Sequence, residues 1–225
     1  MSNSIDSKVL ATLTLSRTVS IALLLILAML ESGMTIEERR ERDRAARRHL
    51  IVTTSRRIAE AEGWDAVTTR RLSAEIEYSQ PVLYKHFSNM EAIAHSVAVE
   101  GFRELAESLS NARRGAAEPE DALRRIAHAY IDFAIANPAV YDAMFTRATT
   151  LHFAASDTPP ELSAGFAELR AVVAAVADTT DADTATETLW AALHGLATLG
   201  RSGRLRGGHD SERVNLLAAQ FVAAT

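Results

Sequence analysis

Apolar and polar positions recur along this chain with the period of a helix. From Ile36 to Glu62 a charged start gives way to an amphipathic stretch in which Leu50 or Ile51, Thr54, Ile58 and Ala61 return at helical spacing, which predicts one long helix. Gly63 is placed to stop it. Thr68 offers an N-cap, with Val67 and Leu72 at the two positions of a hydrophobic staple, so a second helix is expected over about Thr69 to Ile76. Glu77, Tyr78 and Ser79 make a short connection. Pro81 then falls in the first turn of a third helix, where a missing N–H is harmless, and that helix is expected to end near Phe87. Ser88-Asn89-Met90-Glu91 has the form of a capping box and opens a fourth helix running to about Leu109.

"NARRGAAEPEDA" breaks this periodicity with Gly115 and Pro119. Further helices are expected at about Pro119 to Ala136, ended by Asn137-Pro138, then Ala139 to Thr146, Pro160 to Ala177, Asp183 to Arg201 and Ser211 to Ala223. The aspartates of "TTDADTATE" lack the spacing and the glycine of a calcium loop, so that stretch reads as a connection and a helix start. The expected organisation is a leader over residues 1–34 outside the functional fold, one unit over 35–112 and a second over 113–225.

Composition supports an all-α chain. Of 225 residues 48% are apolar, enough for a sizeable core, and strand-forming runs are scarce. Cysteine is absent, which excludes disulfides, thiolate catalysis and Cys-type zinc sites. The net charge of −5 is unevenly spread: residues 35–114 hold 14 basic and 13 acidic groups, residues 115–225 hold 8 and 14. Arg39, Arg40, Arg42, Arg44, Arg47, Arg48, Arg56 and Arg57 have only Glu41 and Asp43 between them, a local basic stretch.

In the leader, the 12-residue apolar run Val19 to Leu30 is short against the ~20 residues that span a bilayer, unless it extends back over Arg17 to Val9. Glu31-Ser32-Gly33 is a poor cleavage site, and Met34 opens a sensible soluble N-terminus.

Two short helices joined by a three-residue turn have the layout of a helix-turn-helix, whose second helix enters the DNA major groove. Leu83 and Phe87, four apart, would point inward with Leu72 and Ile76, leaving Gln80, Pro81, Val82, Tyr84, Lys85 and His86 on the outward side. Gln80 and Lys85 suit base edges, Val82 a thymine methyl, and Tyr84, His86, Thr69 and the helix starts at Thr68 and Ser79 suit phosphates.

The residues "EGWDAVTTRRLSAEIEYSQPVLYKHFSNMEAI", Glu62 to Ile93, closely resemble the DNA-binding domain of the tetracycline-repressor (TetR) family, and the likeness extends from about Arg47 to Val97. It implies a cytoplasmic homodimer, an all-helical fold with the DNA reader at its N-terminus, a palindromic operator, repression by habit, and a C-terminal domain that binds a small effector. Two positions depart from the family's pattern. Glu77 stands where glycine is common, so the turn is expected to differ slightly, and Met90 stands where lysine often touches phosphate, a loss that Arg70 is placed to offset.

"FAIANPAVYDAMF" and "LWAALHGLATLGRSGR" resemble the C-terminal domain of one subgroup, with its Trp-x-x-x-His-Gly signature. In the latter helix Leu189, Leu193, Leu196 and Leu199 or Gly200 form one apolar stripe, and Trp190, Ala191, His194, Gly195 and Ala197 another face. One side is expected to meet the core and the other a second copy, joined by Val214, Leu217, Ala218 and Phe221 of the last helix. Tyr130, Phe133, Tyr141, Met144, Phe145, Trp190 and His194 are the candidate effector-binding residues. No cofactor, metal site or catalysis is expected: there is no glycine-rich phosphate loop, and His86 and His95 lie nine apart across a helix break. The alternative reading is a membrane-attached helical adaptor anchored by residues 9–30.

Overall fold

A computed structural model describes residues 35–147, 158, 160–176 and 181–223. Among them are nine helices and no strand: α1 (Ile36–Glu62), α2 (Thr69–Glu75), α3 (Gln80–His86), α4 (Met90–Arg114), α5 (Pro119–Ala136), α6 (Pro138–Asp142), α7 (Pro160–Val176), α8 (Ala182–Arg201) and α9 (Asp210–Ala223). The all-α expectation holds for all of them. The apolar leader, with its possible anchor at residues 9–30, lies outside the described residues. Within them no helix is long and apolar enough to cross a membrane.

The segment up to Arg48 forms one unit and the chain from His49 onward a second. In the first, Thr35 and Glu38 start α1 reciprocally. The Thr35 amide donates to Glu38 Oε2 at 2.7 Å and the Glu38 amide to Thr35 Oγ1 at 3.2 Å, bonds that hold the Glu38 carboxyl below the usual carboxylate range. Together these bonds form a capping box, which the sequence reading did not single out. Every described residue of this unit is exposed.

In the second unit, α1 buries Ile51, Val52, Thr54, Ser55, Ile58 and Ala59. Leu50 is 41% exposed and Ala61 is also exposed, so of the expected stripe Ile51, Thr54 and Ile58 face inward and the flanking positions do not. The Gly63 amide closes α1 on the Ala59 carbonyl at 2.9 Å, and its φ of 83° turns the chain into a 3-10 turn at Trp64–Ala66. Thr68 caps α2 as expected, its Oγ1 accepting from the Arg71 amide at 3.1 Å, and the staple partners Val67 and Leu72 are both buried. At α4 the expected capping box gives way to one cap. Asn89, not Ser88, is the N-cap residue, and its Oδ1 accepts from the Ala92 amide at 2.8 Å.

Helix α4 runs unbroken to Arg114, five residues past the expected end, because Leu105 and Leu109 keep its apolar face packed against α5 and α7. α6 is only five residues long and passes into a π-helical turn, Ala143–Arg147. This turn crosses α4 at Gly101, where a Cβ would lie 2.4 Å from Val140 Cγ1 and 2.8 Å from Met144 Sδ. Only a residue without a side chain permits so close an approach.

Helix α8 buries Thr186, Leu189, Leu193 and Ala197, whereas Leu199 is 39% exposed. Leu199 lies six residues beyond Leu193 and so roughly a third of a turn off the core face; Ala197, expected on the opposite face, is in the core. Val214 and Ala218 of α9 are likewise buried within this chain, leaving Leu217 and Phe221 half-buried and Leu216 exposed.

Candidate nucleic-acid interface and interior cavity

The turn between α2 and α3 is a Schellman motif built on an unusual residue. Tyr78 N–H donates to the Ser73 carbonyl at 3.1 Å, the six-to-one bond of that motif, after Ile76 N–H closes the last α-helical turn on Leu72 at 3.0 Å. Glu77 takes the left-handed position with φ 57°, the one non-glycine residue there among those described. The expectation that the turn would differ from a glycine turn is therefore corrected: glutamate adopts the glycine conformation, at a cost of about 1 kcal/mol.

That turn sets the face of α3. Leu72, Ile76, Leu83 and Phe87 are all buried. Ser79, Gln80, Pro81, Tyr84 and Lys85 are exposed, and Val82 and His86 are half-buried. On α2, Thr68 and Arg70 are exposed and Thr69 is half-buried. The Thr68 hydroxyl oxygen is committed to the cap, so what it has left to offer a phosphate is its proton. Neighbouring cations differ. Arg71 is tied to Glu62 at 2.9 Å and Glu75 at 3.1 Å, and Arg57 to Glu75 at 2.5 Å. Arg70 and Lys85 have no ion-pair partner among the described residues, and this leaves both charges available to a polyanion.

Three side chains before α2 grip the start of α6. Both oxygens of Glu60 accept backbone N–H groups, from Ala139 and Val140, at 3.0 Å each; Trp64 Nε1 donates to the Ala139 carbonyl at 2.8 Å. Arg56 donates to Asn137 Oδ1 at 2.9 Å and to Glu104 at 2.5 Å, and the Glu104 bond holds its guanidinium above the ordinary range. Sequence reading missed this latch, since nothing local marks a glutamate on one helix as the cap of another.

One turn along from the latch stands a polar chain. Trp190 Nε1 donates to the Tyr130 hydroxyl at 3.1 Å, the Tyr130 and Tyr141 hydroxyls lie 3.0 Å apart, and the Tyr141 hydroxyl is 2.7 Å from His194 Nδ1. Burial, then the nearby Arg201 charge, lowers the pKa of His194. His194 accepts from Tyr141 when its proton is on Nε2 and donates to it when the proton is on Nδ1, and the direction of the Tyr130–Tyr141 bond follows that choice. Burial pushes the Tyr130 phenol up to about 12 and raises Tyr141 as well. The Arg201 guanidinium sits 5.3 Å over the Tyr141 ring and pairs with Asp142 at 2.8 Å.

An apolar cavity adjoins this chain. Tyr130, Phe145 and Trp190 line it together with Phe102, Leu105 and Leu109 of α4 and Leu162, Gly165, Phe166 and Leu169 of α7. The space left is about 20 Å³, room for one water molecule. Of the other candidate effector residues, Tyr141 and His194 face a separate groove with Arg201 and Thr198, while Phe133 and Met144 are core side chains. The α7 contribution escaped the sequence reading, although Leu162, Gly165, Phe166 and Leu169 follow the i, i+3, i+4, i+7 pattern of one helix face.

A short helix anchored from behind by Leu83 and Phe87, open in front and carried on a tight turn from its partner, defines a helix-turn-helix DNA-binding protein. Residues 51–97 match the family described as bacterial regulatory proteins, tetR family, and residues 123–224 match the tetracyclin repressor-like C-terminal domain, together about two thirds of the chain. The chain belongs to the TetR family of transcriptional regulators. It is similar to YobS of Bacillus subtilis strain 168, described as an uncharacterized HTH-type transcriptional regulator, with 35% identity over 97 residues. That match covers 42% of this chain and 49% of YobS, so the chain spans about half of that relative's length. Among solved structures, the TetR-family regulator PfmR of Thermus thermophilus aligns at TM-score 0.56 with 18% identity, over 77% of this chain and 97% of that one. RolR in complex with resorcinol aligns at TM-score 0.59 with 14% identity, over 81% and 88%. These two likenesses concern the fold.

Proposed function

We propose that this regulator represses transcription as a homodimer on a palindromic operator and releases it when a small molecule occupies the C-terminal unit. The observation that carries the reading is the two-sidedness of α3, with Leu83 and Phe87 buried and Gln80, Tyr84 and Lys85 presented outward. In the groove, Gln80 and Lys85 meet base edges and Val82 a thymine methyl. Pro81 starts the helix at the DNA, and Thr68, Thr69, Arg70, Ser79, Tyr84 and His86 hold the flanking phosphates. Two copies about 34 Å apart would read successive grooves.

Dimerisation is assigned to α8 and α9. Because Val214 and Ala218 are already buried in their own chain, the surfaces left for a second copy are those bearing Leu199 and Leu216. The latch supplies the route from effector to reader. Glu60 and Trp64 hold Ala139 and Val140, and five residues beyond Val140 the π-helical turn delivers Phe145 to the cavity. A guest that favours one position of this segment shifts the reader, and one that binds both equally shifts nothing. RolR, of the same fold, was solved with a small molecule, which agrees with an effector role for the C-terminal unit.

Selection of bound fragments from the source genome tests the reading, since the recovered site reports DNA binding and its symmetry reports dimerisation. Tyr84→Ala and Lys85→Ala should each weaken that site by about 1–3 kcal/mol without changing the dimer or the melting temperature. Undiminished binding in both variants would remove α3 from the groove.

A further inference from the structure

Two buried glycines, one on α4 and one on α7, behave in opposite ways. At Gly101 a Cβ would collide with Val140 and Met144, so the missing side chain lets two segments touch. At Gly165, buried on α7, a Cβ would find no atom of the described residues within 4 Å. The missing side chain there brings none of the described residues into contact. It leaves space, and that space opens on the cavity that Gly165 lines.

Resting on the effector reading above, we propose that this cavity takes a compact, uncharged, hydrocarbon-like molecule, a single aromatic ring or short alkyl chain, and that Gly165 sets how large a guest fits. Its walls are Phe, Leu and Gly, with only Tyr130 and Trp190 carrying polar atoms. Those atoms are already used. The indole N–H donates to Tyr130, whose hydroxyl is also hydrogen-bonded to that of Tyr141, and no lining residue carries a positive charge to meet an anion. The nearest turns of α4 and α7 do carry charge, but Arg113 and Glu168 are bound to each other at 2.6 Å. A carboxylate or ammonium carried into such a lining loses its hydration with nothing in return. An apolar guest gains the area it buries, and larger apolar cavities, of about 150 Å³, stay dry and accept benzene. The present space of about 20 Å³ has to widen. The half-buried lining side chains Phe145, Phe166 and Trp190 are the ones placed to swing outward.

The test uses the full chain and three probes of one shape, toluene, benzoate and benzylammonium, read by melting temperature and tryptophan fluorescence. Toluene should raise the melting temperature and alter the emission of Trp190, and the two charged probes should bind at least about tenfold more weakly. Gly165→Leu, whose side chain overfills the present space, should abolish the toluene response while the unliganded variant still melts cooperatively at a somewhat lower temperature. Gly165→Ala, which meets no neighbour, should fold as wild type and weaken toluene several-fold. Equal binding of a charged probe overturns the ligand class and leaves the effector reading standing. A toluene response that survives in both variants, or none at saturation in the wild type, overturns the site. Toluene bound as described but without effect on the DNA complex would instead overturn the effector reading and spare the cavity.

Discussion

The DNA reader and the cavity unit bury their apolar residues equally well, but they differ in what they do with the rest. Around α2 and α3 the buried positions are few and short in reach, Leu72, Ile76, Leu83 and Phe87, and the functional side chains are the ones left outside. In the C-terminal unit the functional candidates are inside. Tyr130 and Trp190 join a hydrogen-bonded chain, and Phe145 packs on Tyr141 with ring centroids 4.6 Å apart. Reader chemistry therefore tolerates surface exchange with little loss of stability, whereas any change at the cavity is also a change in packing.

The sharpest way to break that contrast is Gly101→Ala. The added methyl meets a stiff β-branched side chain at a helix crossing, so stability should fall by about 1–3 kcal/mol in denaturant titration. An unaltered midpoint would show that the crossing is loose.

Glu60→Gln comes next, because it removes the charge that caps α6 while retaining one acceptor; about 1 kcal/mol of stability should go. Effector-driven release of DNA should weaken with it. Full coupling in this variant would place the route from cavity to reader elsewhere.

Glu77→Gly works in the other direction. Relief of the left-handed glutamate should stabilise the reader by up to about 1 kcal/mol, offset in part by the freer unfolded chain. It also removes a negative charge beside α3, so DNA affinity should rise in binding titrations at low salt.

The smallest effect concerns pH. The pKa of His194 is lowered in the folded chain by burial and by Arg201, so the unfolded chain takes up its proton first as pH falls. Its contribution is fully present above the unfolded value of about 6.5 and is lost as pH falls from there through the lower folded value. Between pH 7.5 and 5.5 the wild type should lose stability that His194→Gln does not lose. Parallel curves would show that His194 titrates as in the unfolded chain.

The reader was largely legible in the sequence because its signals are local. Thr68 as N-cap, the Val67 and Leu72 staple and the spacing of Leu83 and Phe87 each act within one or two turns, and each stands where it was expected. Asn89 displaced Ser88 as a cap because both suit the role and only the backbone chooses between them. The cavity was read less well. Tyr130, Phe145 and Trp190 line it, but Phe133 and Met144 are equally apolar and fill the core, and no periodicity separates lining from filling. Val214 and Ala218 show the same limit, since an apolar stripe does not say which surface covers it.

Composition and short-range pattern alone determined an all-helical chain, its helix starts and the side of α3 that faces out, because helix periodicity and capping depend on neighbours a few residues apart. The tertiary structure decided the rest: that Glu60 caps a helix about eighty residues away, that Gly101 is a contact and Gly165 a space, and that α9 spends Val214 and Ala218 on its own core. Each depends on which distant surfaces meet, and packing sets that only once the helices have been brought together.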